Sequence, residues 1–192
     1  MNRKQFIQDQ LTESAETKKK MFDACAGEIL KAVDVIINAF KGKKKVLICG
    51  NGGSAADAQH IATEFVIRMS IANRPALPAI ALTTDTSMLT AGGNDIGFDN
   101  IFARQVEALG NNGDVLIAIS TSGKSENVNR AIKEAKQHGM RVVGFLGKDG
   151  GTSKDLVDIP IIIPSNDTQR IQEGHITTAH IVCGIVENEL FG

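Results

Sequence analysis

Apolar residues change their spacing once along this chain, near Lys45. Through the first forty positions Phe6, Leu11, Phe22, Ile29, Leu30, Val33, Ile36, Ile37 and Phe40 recur at helical intervals between polar neighbours, which predicts one or two helices with a buried face. Beyond Lys45 come short β-rich runs: KVLIC at 45–49, PAIAL at 78–82, VLIAIS at 115–120, RVVGFL at 141–146 and PIIIP at 160–164. The segments 55–69, 99–109 and 126–138 between them are long enough for helices, and a last helix is expected from about Thr168 to Leu190. Gly110, Gly113 and Gly139 stand where helices should stop. Continuous apolar strands alternating with helices mean a parallel sheet covered on both faces, here with a helical piece added at the N-terminal end. No internal repeat or low-complexity tract interrupts the pattern.

Composition narrows the class. At 192 residues and 42% hydrophobic content the chain suits a single domain, residues 1–192, with a substantial core. A formal net charge of -1 argues against a nucleic-acid or anionic-membrane surface, since both need clustered basic excess. KGKKK, 41–45, reads as a solvated corner before the first strand. No apolar stretch reaches the roughly 18 to 20 residues that span a bilayer, and MNRKQFIQDQ lacks the apolar middle of a signal peptide, so a cytoplasmic protein is expected. Cys25, Cys49 and Cys183 are odd in number and set among apolar neighbours, which favours buried free thiols over a disulfide or a thiolate metal site. With 4% aromatics and neither Trp nor Tyr, the chain has no base-stacking platform.

In open parallel sheets a ligand sits beyond the carboxyl ends of the strands, where strand order reverses. Three loops therefore matter. GNGGS, Gly50 to Ser54, runs from the first strand into a helix; its glycines bring backbone N–H groups and the helix start close to an anion, although a tight corner explains the glycines as well. ISTSGKS, Ile119 to Ser125, sets Ser120, Thr121, Ser122 and Ser125 around one glycine before a helix. One cap needs one hydroxyl, so four favour holding a phosphate. Neither GxxxxGK[ST] nor a post-strand GxGxxG is present. The third loop, TTDTSMLTAGGNDIGFDN at 83–100, carries Asn94 and Asp95 as secondary candidates, which ordinary turn chemistry also accounts for.

Next to the first of these loops lie Asp57, His60 and Glu64. His60 and Glu64 are at i, i+4 and share a helix face, where an imidazole and a carboxylate can bind a divalent metal or act as an acid/base pair; a surface pair is the ordinary alternative. The closing helix supplies Gln172, Glu173, His175 and His180. At about 100° per residue Gln172 and His180 lie roughly 80° apart and the two histidines about 140°, so both histidines do not serve one site. Periodicity does not choose between them: the apolar face contains Gln172 and His175 and has His180 at its margin.

GNGGSAADAQHIATE, NRPALPAIALTTDTSMLTAGGND, ISTSGKS and RIQEGHITTAH, in this order and spacing, resemble the phosphoheptose isomerases within the sugar isomerase (SIS) domain class, over nearly the whole chain. The resemblance implies a flavodoxin-like five-stranded parallel sheet and a homotetramer, with residues 1–40 used in oligomerisation. It also implies conversion of sedoheptulose 7-phosphate to D-glycero-D-manno-heptose 7-phosphate, the entry to the heptose of bacterial lipopolysaccharide or capsule. The family's zinc ligands, one ion per subunit, correspond to His60, Glu64, Gln172 and His180, which settles the histidine choice on His180. Its substrate contacts correspond to Asn51, Gly52, Gly53, Ser54, Glu64, Arg68, Asn94, Asp95, Ser120, Thr121, Ser122, Ser125 and Gln172. Glu64 is then the expected base at carbon and His180 the acid/base at oxygen. Arg68 is expected one turn beyond Glu64 on the same face. Gln169 stands where members of the family can carry an acid, removing any assistance from that position. The competing class is a non-catalytic relative, a sugar-phosphate sensor or replication-initiator-associating protein, which lacks parts of the catalytic set; Glu64 and His180 are both present here.

Overall fold

Side chains along the central strands are buried in succession but alternate between two cores, as two covered faces require. Val46, Ile48, Val115, Ile117 and Ile119 join one core with Phe145 and Ile161, while Leu47, Cys49, Leu116 and Ala118 join a second on the opposite face. The computed structural model describes residues 1–192. Its strands are β1 (Val46–Gly50), β2 (Ala79–Ala81), β3 (Val115–Ser120), β4 (Arg141–Gly147) and β5 (Ile159–Ile163). They form one sheet of 5 strands in the order β2-β1-β3-β4-β5, every neighbour parallel. This is the flavodoxin-like order, whose switch point lies between β1 and β3.

The helices are α1 (Arg3–Lys41), α2 (Gly53–Val66), α3 (Thr86–Asp95), α4 (Ile101–Leu109), α5 (Glu126–Gln137), α6 (Ser153–Leu156) and α7 (Thr168–Phe191). Helices α1, α2 and α7 supply residues to the first core, and α4 and α5 to the second. The three cysteines are buried free thiols, as expected.

Two expectations are corrected. The N-terminal segment is one 39-residue helix, about 58 Å long, and Phe6, Leu11, Phe22 and Leu30 are exposed on it rather than buried. The buried positions begin at Thr17, and the apolar side chains of the first turns stay largely exposed. The segment after β2 is a helix, α3, and not an open loop. Asp85 caps it by accepting from Met88 N at 2.9 Å, but α3 buries no residue, so it shows no apolar stripe to read.

His175 lies in the first core, 1% exposed, with Nε2 2.9 Å from the Leu146 carbonyl oxygen. Burial, partly opposed by that carbonyl, lowers its pKa from 6.5 to about 4. The unfolded chain therefore takes up the proton first. Stability from the neutral imidazole is complete above the unfolded value and falls as pH drops from about 6.5 towards 4, by on the order of 3 kcal/mol. His175→Asn is expected to flatten the pH dependence of the denaturant midpoint in that window; an unchanged slope would refute the assignment.

Candidate active site

The carboxyl ends of β1 and β3 open side by side at the switch point, and the turns that follow them are bound together. Asn51 and Asn127 exchange amide hydrogen bonds, both 2.9 Å, across the gap between the β1 turn and α5. Gly52 sits at φ 57 as the α2 N-cap, without a side-chain cap bond. Gly53 and the buried Ser54 form the first turn of α2. At the end of β3, Ser120 is 3% exposed and its Oγ lies 3.1 Å from the Ser125 Oγ. Ser125 occupies the N-cap position of α5 yet makes no cap bond, so the simple capping account does not explain that hydroxyl. Thus α2 and α5 both start beside the crevice without side-chain caps. Their N–H groups and the hydroxyls of Ser120 and Ser125 can receive an anion.

The β3 turn is held from behind. Gly123 N donates to Ser120 Oγ at 3.1 Å, and Lys124 N to Ser122 Oγ at 3.2 Å. The Gly123 carbonyl accepts the Ser153 N–H at 2.9 Å, and the Ser153 hydroxyl donates to Asn129 Oδ1 at 2.6 Å. Asn127, Asn129 and Ser153 are buried and were not singled out from sequence. Two asparagines on the buried side of an otherwise good helix were the available signal, because asparagine there needs a partner.

About two and three turns into α2, the candidate reacting groups gather. His60 Nε2 is 3.0 Å from Glu64 Oε1 and 3.4 Å from His180 Nε2, and donor atoms of the three residues lie within 4.8 Å of one another. Two imidazole nitrogens facing each other need a proton or a cation between them. The 3.4 Å separation suits a tetrahedral zinc, whose bonds of about 2.0 to 2.1 Å place neighbouring ligands about 3.4 Å apart. Asp57, half-buried on the preceding turn, has its carboxyl pushed up by burial, partly offset by His60.

The remaining candidates are placed as follows. Gln172 lies against Gly53, where a β-carbon would come within 2.7 Å of its Nε2, so its amide stands at the start of α2. Asn94 and Asp95 are exposed on the last turn of α3, where Asn94 Nδ2 donates to Asp95 Oδ1 at 2.6 Å; neither bonds to the glycine or serine turns. Arg68 falls outside α2, which ends at Val66, so it does not continue the His60–Glu64 face. It is exposed and forms no ion pair within the chain.

The SIS domain model matches residues 10–147. The phosphoheptose isomerase of Clostridium acetobutylicum is 56% identical over 191 residues, covering 98% of this chain and 97% of that protein. This chain belongs to the phosphoheptose isomerase family. Among solved structures, a phosphoheptose isomerase from Francisella tularensis superposes with a TM-score of 0.94 at 37% identity, covering 98% of this chain and 100% of that one. The enzyme from Neisseria gonorrhoeae gives 0.90 at 40% identity, covering 96% and 98%. The phosphoheptose isomerase fold therefore extends over the whole sheet and over α1 and α7, beyond the matched domain.

Proposed function

We propose that this chain is an aldose–ketose isomerase converting D-sedoheptulose 7-phosphate to D-glycero-D-manno-heptose 7-phosphate. The observation that carries the reading is the His60, Glu64 and His180 cluster, with His60 and Glu64 about two and three turns from an anion-receiving helix start, in a chain with full-length phosphoheptose isomerase relatives. A sensor needs only the anion turn, so the cluster favours an enzyme.

The phosphate rests on the Gly52–Ser54 turn and on Ser120, Thr121, Ser122 and Ser125, where uncapped N–H groups and hydroxyls replace a permanent cation. Gln172 stands beside Gly53 and binds the sugar portion. Asn94, Asp95 and Arg68 complete the substrate contacts in this proposal, on segments that reach the sugar once it is bound. Glu64 removes the proton from C1 of the ketose while His180 donates one to the C2 oxygen, giving the enediol. Glu64 then returns its proton to C2 as His180 takes the C1 hydroxyl proton, and the aldose forms with both groups restored. His60, Glu64, Gln172 and His180 are the proposed zinc ligands. A bound zinc supplies Lewis-acid polarisation of the carbonyl.

Four chains assemble in this proposal. Along α1 and α7 an apolar groove of about 370 Å³ is lined by Met21, Phe22, Ile29, Leu30, Ile181 and Ile185. Phe6, Ile7 and Leu11 continue the exposed apolar residues along α1. A face of this kind calls for a partner, and further copies of α1 and α7 are suited to it. No helix is long and apolar enough to cross a membrane, and a cytoplasmic site of action fits the phosphorylated substrate.

Turnover of sedoheptulose 7-phosphate by the purified protein, whose assembly is checked by light scattering, tests this reading. Activity is expected to vanish on complete chelation and return with zinc. Activity surviving metal removal would discard the catalytic zinc, and no turnover by folded, zinc-loaded tetramer would discard the isomerase.

A further inference from the structure

Glu187 is 1% exposed on α7 and has no part in the chemistry above. Its carboxylate accepts the N–H groups of Met69 (2.8 Å), Ser70 (2.6 Å) and Ile71 (2.8 Å), and the Nε of Arg74 at 2.7 Å. Arg74, equally buried, donates from Nη2 to the backbone carbonyl of Glu64 at 2.6 Å and from Nη1 to that of Pro75 at 2.8 Å. Helix α2 ends at Val66, so the Glu64 carbonyl is one of the last four, which an α-helix leaves without an internal partner. Arg74 fills that vacancy. Glu187 also stands two turns beyond His180, at about 20° around the helix axis, so one stripe of α7 carries both the imidazole of the cluster and the carboxylate that holds the end of α2. A buried ion pair is a weak source of stability because both charges lose their water. What this pair secures is register.

We propose that Glu187 and Arg74 form a positioning relay that fixes Glu64 on the end of α2 against His60 and His180. The inference rests on the isomerase reading for its effect on turnover. The relay touches neither substrate nor metal; it acts through the Glu64 main chain. Removing it leaves the anion turns, at the other end of α2, in place.

The test compares Glu187→Gln and Arg74→Lys with Asp114→Asn. Asp114 is a buried carboxylate just before β3, accepting Lys45 N, Lys45 Nζ and Asn111 N and bonded to neither α2 nor α7. Thermal stability, kcat and KM for sedoheptulose 7-phosphate, and zinc affinity of the metal-stripped full chain by chelator competition are measured for each. Glu187→Gln is expected to lower kcat about 10- to 100-fold with KM within about 3-fold, and to weaken zinc about 10-fold. Arg74→Lys keeps a charge for Glu187 but cannot also fork to Glu64; it should show the same pattern with less loss of stability, and it decides the matter if Glu187→Gln does not fold. Asp114→Asn should lose stability yet keep wild-type kcat and zinc affinity. Wild-type kcat and zinc affinity in the folded relay variants would overturn the proposal. If the wild-type and Asp114→Asn proteins both fail to turn the substrate over, the isomerase reading falls, and the zinc affinities alone still decide the relay.

Discussion

Replacing Glu64 with glutamine is expected to lower kcat by at least ~10²-fold, towards ~10⁴-fold, the range set by losing a positioned general base. The substitution keeps the shape of the side chain and removes its ability to take a proton from carbon. The Glu64 side chain is 18% exposed and its one recorded side-chain partner is His60, so little of the core depends on it and the melting temperature should stay near wild type. The proposed phosphate turns lie at the far end of α2, so KM should move only a few-fold, and kcat and kcat/KM should fall together, the sign of an interaction made in the transition state. Steady-state kinetics with zinc in excess is the measurement, because the amide also removes an anionic ligand and zinc affinity has to be offset by concentration. Near-normal turnover by the zinc-loaded variant would remove Glu64 as the base.

The architecture was legible because each strand is continuously apolar and each crossover long enough for a helix; all five strand positions hold to within one or two residues. The sheet order followed from resemblance, not from spacing, since periodicity carries no information on which strand lies next to which. Within the site, His60 and Glu64 read as one face because i, i+4 spacing is a local property, whereas the approach of His180 to 3.4 Å from His60 is a contact between α2 and α7 that no local pattern encodes. The apolar face of α7 could not choose between His175 and His180. The structure separates them: His175 is spent on the Leu146 carbonyl inside the core, and His180 is half-buried at its edge, facing α2. Phe22 and Leu30 misled for the opposite reason. Their spacing correctly reports an apolar face, but the face extends beyond what the single chain can cover. The Asn51–Asn127 link and the Glu187–Arg74 relay were invisible because each joins residues far apart in the chain, although a carboxylate on the buried side of α7 was a signal that some partner had to exist.

Gly123→Ala is expected to cut kcat/KM for the phosphosugar by about 10²-fold or more while leaving zinc affinity at its wild-type value. Gly123 has φ 62, and a β-carbon there would lie 1.8 Å from the Gly150 oxygen, 2.4 Å from the Gly150 carbon and 2.9 Å from Gly151 N. All three are main-chain atoms, so no side chain can swing aside; either the β3 turn or the loop after β4 has to move. The left-handed conformation alone costs an alanine roughly 1 to 2 kcal/mol, and the backbone overlap adds to it. The turn that moves is the one in which Gly123 N holds Ser120 Oγ and Ser153 holds the Gly123 carbonyl, so displacement separates the Ser120 and Ser125 hydroxyls that are proposed to hold the phosphate. A shift of about 1 Å in a positioning group is enough for a ~10²-fold loss. Gly139→Ala supplies the comparison: φ is 70 there too, but the nearest atom to a β-carbon is Asn112 Oδ1 at 2.7 Å, the end of an exposed side chain, before the start of β4 and away from the carboxyl ends of the strands. Both alanines should lower the melting temperature, and only Gly123→Ala should raise the inhibition constant of inorganic phosphate. If the two variants bind phosphate equally well, the serine turn is not the phosphate site, and the anion would have to be held by the Gly52–Ser54 turn alone.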